Sequence, residues 1–179
     1  MNSIRKAYDR FLEAIAALLI VAVTLIVTMG FVYRWVGESL VWYDEIAAIS
    51  LAWLTYYASA LAALRGAHIG FPGLVNSLPS QWRVIATVCA SGVTIFFFVL
   101  MAITGYEVVE ILGGDTLVSL PFVPQRVTQS VIPIASVLIV IAELLRLPQL
   151  IEEARRGPLV DHELQEALAH GKAGKEIQS

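Results

Sequence analysis

The chain has 179 residues, of which 58% are hydrophobic and 15% charged; soluble domains carry about 25% charged residues, and a fold this small has too little interior for so much apolar side chain. The net charge of −3 excludes the basic footprint of a nucleic-acid binder, and the single cysteine, Cys89, excludes an internal disulfide or a dithiol relay. The composition is that of a chain whose solvent is the lipid bilayer.

Four stretches in chain order are free of charge: 14–33, 46–64, 84–106 and 127–142. The first three hold 20, 19 and 23 residues, and a helix needs roughly 20 to cross the hydrocarbon core. The fourth holds 16 and lengthens if Arg126 and Glu143 reach back to the interfaces. The predicted fold is an all-α membrane protein with spans at about 12–34, 45–65, 83–106 and 124–146. The first run is longer than a signal-peptide core, and Tyr33-Arg34-Trp35 offers no small-residue cleavage site. It is therefore read as a retained span.

Orientation follows from Lys and Arg. With the N-terminus inside, ten of the twelve fall on the cytoplasmic side: Arg5, Lys6, Arg10, Arg65, Arg83, Arg146, Arg155, Arg156, Lys172 and Lys175. Only Arg34 and Arg126 fall outside. The outer segments are acidic, with Glu38, Asp44, Glu45, Glu107, Glu110 and Asp115. Both termini are thus predicted to be cytoplasmic. Aromatic anchors agree, with Tyr33, Trp35, Trp42, Tyr43 and Tyr106 at the outer interface and Tyr8, Phe11 and Trp82 at the inner one.

Between the spans, 68–79 reads as a short segment in the inner interface. Residues 116–124 follow the Gly113-Gly114-Asp115 turn and should pack on the outer helix ends, with Pro124 in the first turn of the fourth helix. Pro133 lies inside that helix and should kink it. The transmembrane domain is taken as 1–147, and 148–179 as a cytoplasmic amphipathic segment and disordered tail. In that segment Leu150, Ile151 and Ala154 oppose Glu152, Glu153, Arg155 and Arg156, and Asp161 can cap a short helix through Leu168.

Ionisable groups at membrane depth mark ion and solute pathways, and none of the four stretches has one. No glycine-rich phosphate loop, nucleophile elbow or paired catalytic carboxylate occurs, so no catalytic residue, metal ligand or cofactor is assigned. His68, His162 and His170 lie outside the spans, which argues against a haem held between helices. Asp44 and Glu45 precede the second helix. They read either as a docking patch or as anions placed favourably at a helix N-terminus. Glu13, at the start of the first span, could serve proton exchange in a small homodimeric exporter, but reads more simply as an interfacial charge. Ala48/Ala52 and Ala58/Ala62 permit close helix approach, within the bundle or toward another membrane protein. Trp53 sits too deep for an interfacial belt and reads as an interhelical contact. Arg65 and His68 read as a phosphate or lipid head-group contact, or as inner-interface cations near a helix C-terminus.

Over about residues 5–147 the sequence resembles the small membrane subunit of tripartite ATP-independent periplasmic (TRAP) transporters, the DctQ-like family. The resemblance rests on Trp42-Tyr43-Asp44-Glu45, Trp53, and the stretch from Ala60 through Arg65, His68 and Ile69 to Leu78-Pro79. Leu120-Pro121-Phe122 and Ile132-Pro133-Ile134 extend it. It implies a bacterial inner-membrane subunit that scaffolds a large permease subunit. It further implies ion-driven uptake of an organic anion (dicarboxylate, keto acid or sugar acid) delivered by a periplasmic solute-binding protein. The candidate partner-contact or structural residues are then Trp42, Asp44, Glu45, Trp53, Arg65, His68 and Pro133, with no substrate site in this chain. A non-transport membrane assembly factor is the remaining alternative.

Overall fold

A computed structural model of the chain describes residues 3–66 and 78–156. Among the described residues the helices are α1 (Ser3–Trp35), α2 (Tyr43–Arg65), α3 (Ser80–Ile111), α4 (Gln125–Gln129) and α5 (Val131–Arg156), with a 3-10 turn at Leu112–Gly114. Among the described residues there is no strand, only an isolated antiparallel bridge between Thr116 and Pro124. Four helical segments among the described residues are long and apolar enough to cross a membrane: Ser3–Trp35, Tyr43–Arg65, Gln81–Gly114 and Gln125–Arg155. These are the four spans expected from the charge-free stretches, each extended at one or both ends.

The ends of the first two helices are set by glycine. At the end of α1, Gly37 adopts φ 89°. The Glu38 amide reaches back to the Tyr33 carbonyl at 3.0 Å and the Gly37 amide to Arg34 at 3.2 Å, the paired bonds of a Schellman stop. Gly66 closes α2 at φ 77°. A side chain at either position would meet the left-handed penalty that glycine avoids.

Three boundaries differ from expectation. Pro124 is the extended N-cap of α4 rather than a first-turn residue. The fourth span is two helices, interrupted at Ser130. Pro133 is the third residue of α5, so the interruption falls one turn before it. The cause is chemical: Pro133 has no N–H for the carbonyl of Gln129, and its ring crowds that carbonyl. Finally, α5 continues through Pro148 to Arg156, so the apolar stripe after Pro148 prolongs this helix instead of starting a new segment. The interfacial segment at 68–79, apart from Leu78 and Pro79, and the cap at Asp161 lie outside the described residues.

Two compact contact units divide the chain: Met1–His68 with Val93–Arg146, and Ile69–Gly92 with Leu147–Ser179. The core of the first is Leu12, Ala60, Ala63, Leu64, Ile139 and Ala142, flanked by Tyr8, Tyr57, Leu61, Phe98, Leu138 and Leu145. Three of the six central residues are alanine. Lipid tails are as apolar as leucine, so helices in a bilayer associate through close packing and polar contacts rather than by escape from water. Alanine is the residue type that allows such approach. In the second unit the Arg83 amide bonds to the Pro79 carbonyl at 3.0 Å, and the Arg83 guanidinium to the Leu78 carbonyl at 3.3 Å. Thr87 folds its hydroxyl back onto the Arg83 carbonyl.

Much apolar surface is uncovered. In the most hydropathic window of α1, α2 and the third span only 11% is buried. Leu18, Leu25, Phe31, Val93, Phe96 and Ile103 are all more than half exposed. Lipid or another membrane protein must cover them.

Candidate functional site

At the end of the bundle where α1 begins, three α1 residues spaced four apart meet the end of α2. Arg5 donates to the Leu64 carbonyl at 2.9 Å, satisfying one of the carbonyls that every helix C-terminus leaves open. Arg65 grips Asp9 with two bonds, Nε to Oδ1 at 2.7 Å and a terminal nitrogen to Oδ2 at 2.9 Å. The same nitrogen reaches Glu13 at 2.9 Å. Two carboxylates four apart on a helix repel, and the guanidinium between them removes that repulsion. The fork geometry that makes this possible belongs to arginine, not lysine. Gly66 lies against Arg146 of α5: a Cβ placed there would come 2.5 Å from the guanidinium. One turn along, Tyr8 donates to the Leu138 carbonyl of α5 at 2.7 Å.

Halfway along α2, the indole of Trp53 donates to the Thr128 carbonyl at 3.0 Å. Ser130 donates to the Val127 carbonyl at 2.7 Å, and Ser136 to the Ile132 carbonyl at 2.7 Å. These donors surround the interruption at Ser130. Backbone groups loosened inside a membrane must find internal partners, and here a serine on the same helix and a tryptophan on another provide them. Trp53 also stands 6.4 Å from the Tyr57 ring, tilted by 48°. Gly105 of α3 admits Ile132 and Pro133, whose nearest atoms lie 3.0 and 3.2 Å from where a Cβ would be. Beside this contact an open apolar groove of about 480 Å³ runs between Tyr106 and Val109 of α3 and, on the other side, Ser130 and Pro133, Ile134, Val137 and Leu138 of α5.

At the opposite end, where α2 begins, Glu45 holds the loop that follows α3. Its carboxylate accepts the amides of Val118 at 3.3 Å and Ser119 at 2.9 Å, together with the Ser119 hydroxyl. The loop is closed on itself by the Leu117 amide to Val123 and the Gln125 amide to Asp115. Leu117 is buried, while Val118 and Phe122 stand 94% and 78% exposed. Nearby, Gly30 of α1 accepts the flat ring of Tyr43, which would collide with any Cβ there.

The residues singled out from sequence thus separate. Glu45, Trp53 and Arg65 each tie α2 to another part of the first unit. Trp42 is the N-cap of α2 through its backbone carbonyl, which accepts the Ile46 amide at 3.2 Å, with no side-chain cap bond. Asp44 is exposed in the first turn. Pro133 stands at the contact with Gly105. His68 lies outside the described residues. Glu13 is bound to Arg65 at the end of the helix pair rather than set in mid-membrane. Among the α2 alanines, Ala60 and Ala63 are buried, while Ala48 and Ala52 are exposed.

Sequence reasoning missed Arg5, Asp9, Tyr8 and Ser119 as tertiary partners. The spacing of Arg5, Asp9 and Glu13 at i, i+4 and i+8 was the available signal for the first two, since it places them on one helix face.

The chain matches the profile of the DctQ component of tripartite ATP-independent periplasmic transporters over residues 23–153. A comparison with curated proteins gives no match. The matched region takes in α2, α3 and α4 whole, and with them Glu45, Trp53 and Arg65.

Proposed function

Because the chain belongs to the DctQ family, a membrane component of TRAP transporters, we propose that it scaffolds the large permease subunit of such a system in a bacterial inner membrane. The transport it serves is ion-gradient-driven uptake of an organic anion, delivered by a periplasmic solute-binding protein. The observation that carries this reading is the distribution of charge. Residues 14–33, 46–64, 84–106 and 127–142 hold no ionisable acid or base other than tyrosine and cysteine. An anionic solute and its coupling ion need polar or charged partners at membrane depth. A division of labour in which another subunit binds both accounts for this.

The polar contacts of this chain serve its own rigidity. Arg65, Trp53 and Glu45 fix α2 at its last turn, halfway along and in its first turn. The exposed row Ala48 and Ala52 on the outer half of α2 suits close approach by a helix of the larger subunit. The acidic outer segments, with exposed Asp44 and the presented Val118 and Phe122, suit contact with a soluble protein.

The test is purification through a C-terminal tag from native membranes in mild detergent, with the accompanying proteins identified by mass spectrometry. A multi-span permease near equal stoichiometry, whose uptake activity is lost when this chain is deleted, is the expected result. A stable homodimer emerging alone would overturn the scaffold reading.

A further inference from the structure

The first three turns of α1 carry five charged side chains, and the fold sorts them into two rows. Arg5, Asp9 and Glu13 form one row and are engaged by α2 through Leu64 and Arg65. Lys6 and Arg10 form the other. Both are exposed, and neither makes a hydrogen bond or ion pair with a described residue.

The face that adjoins Lys6 and Arg10 is apolar. Ile4 is 72% exposed, Phe11 53% and Leu18 68%, and Ala7 and Ala14 are exposed beside them. At 100° per residue these positions and the two cations span an arc of about 160° centred opposite the buried Leu12 and Ala16, with Lys6 at one edge and Ile4 at the other. The uncovered apolar face of the span therefore continues without a break into the turn that carries the two cations. Lys6 and Arg10 stand just before the charge-free stretch that begins at residue 14. That is the depth at which lysine and arginine stems lie along acyl chains while their heads stay among the head groups.

We infer that Lys6 and Arg10 form a contact site for the head group of an anionic phospholipid, whose acyl chains lie along Phe11 and Leu18. Charge complementarity selects this occupant. The side of the membrane assigned to the N-terminus by the Lys/Arg bias is the cytoplasmic leaflet, where anionic lipid draws basic juxtamembrane residues. Arg65, the cation that sequence reasoning put forward for such a contact, is occupied by Asp9 and Glu13. The role passes to the neighbouring row, which α2 does not engage.

The experiment uses the full chain in vesicles of equal phosphatidylglycerol and phosphatidylcholine, with the photoreactive residue p-benzoylphenylalanine in place of exposed Ala7. Mass spectrometry of the captured lipid gives the ratio of the two phospholipids. Phosphatidylglycerol should be favoured several-fold at Ala7. The single variants K6Q and R10Q should each lower that preference, by at most about fivefold, the factor corresponding to ~1 kcal/mol per basic residue near an anionic surface, and K6Q/R10Q should return the captured ratio to that of the vesicle. The tail variant K172Q/K175Q removes the same charge and should leave the preference unchanged. An unchanged ratio in K6Q/R10Q, or an equal fall in the tail variant, would overturn the inference. So would capture of a polypeptide instead of lipid at Ala7 in native membranes.

Discussion

Trp53 of α2 donates its indole N–H to the backbone carbonyl of Thr128, two residues before the point where the fourth span is interrupted. The bond joins a side chain to a break that a proline elsewhere creates. The Trp53→Phe variant keeps an aromatic ring, though a smaller one, and removes the donor. Polar contacts between membrane helices are worth about 0.6 kcal/mol on average and up to about 1.7, and a carbonyl beside an interruption has few other donors. The expected loss is therefore toward the upper end, ~1–1.5 kcal/mol, read as a lower midpoint in thermal unfolding of the detergent-solubilised protein. Trp53→Phe matching the wild-type midpoint would show that the bond is incidental.

The Arg65 fork predicts an asymmetry between its conservative and radical replacements. Arg65→Ala leaves Asp9 and Glu13 facing each other, whereas Arg65→Lys restores the charge without the two-pronged grip. The pairs are partly exposed, so the coupling of Arg65 with Asp9 in a double-mutant cycle should be modest, about 0.5–1 kcal/mol, and should shrink as salt rises. The midpoints should rank wild type, then Lys, then Ala. Equal midpoints for Lys and Ala would mean that the charge contributes nothing.

Glu45→Gln alters the outer loop in a way that amide exchange can read. Glutamine keeps one acceptor oxygen but loses the negative charge that draws two amides and a hydroxyl together. The Val118 and Ser119 amides should exchange at least several-fold faster in the variant, while amides in the middle of α2 stay protected. Acceleration spread evenly along α2 would point to helix fraying instead of loop release.

Two glycines should respond differently to the same substitution. Gly30→Ala puts a methyl group into the Tyr43 ring, and Tyr43→Ala should relieve it, so the double variant should be more stable than Gly30→Ala alone. Gly66→Ala meets both the Arg146 guanidinium and a φ of 77°. The backbone part, ~1 kcal/mol, persists when Arg146 is also changed to alanine. Thermal midpoints of the four variants separate a steric origin from a conformational one.

The exposed alanines of α2 offer a test of assembly. A48L/A52L should leave the stability of the isolated chain within ~0.5 kcal/mol, as for surface changes generally, yet reduce recovery of the large subunit in co-purification. Unchanged recovery would move the contact to another face.

How far the sequence reveals the fold depends on the physics behind each feature. The four spans are legible because each is a long run without charge, and the bilayer sets the required length. The use of Arg65 is not legible. Its partners lie 52 and 56 positions away in the chain, and a cation beside a helix C-terminus has a sufficient local explanation. The alanines of α2 show the same limit. All are small enough to pack, but only the tertiary arrangement puts Ala60 and Ala63 inside and leaves Ala48 and Ala52 outside. Pro133 signals a disturbance in the fourth span, while its exact form, an interruption at Ser130 with borrowed donors, depends on a tryptophan far off in sequence. Pro148 misleads for the opposite reason, because the helix continues through it.

The pairing of α1 with α2 also bears on how the protein is made. Only residues 36–42 join these helices, and the contacts that fasten them, Gly30 with Tyr43 at one face and Asp9 with Arg65 at the other, are complete once residue 66 has been synthesised. The hairpin can therefore close while the ribosome is still making α3. Trp53 and Glu45 remain without their partners until residues 116–128 arrive. During translation the second helix already holds its position on one side and keeps two unfilled hydrogen-bonding groups ready for the late-arriving segment.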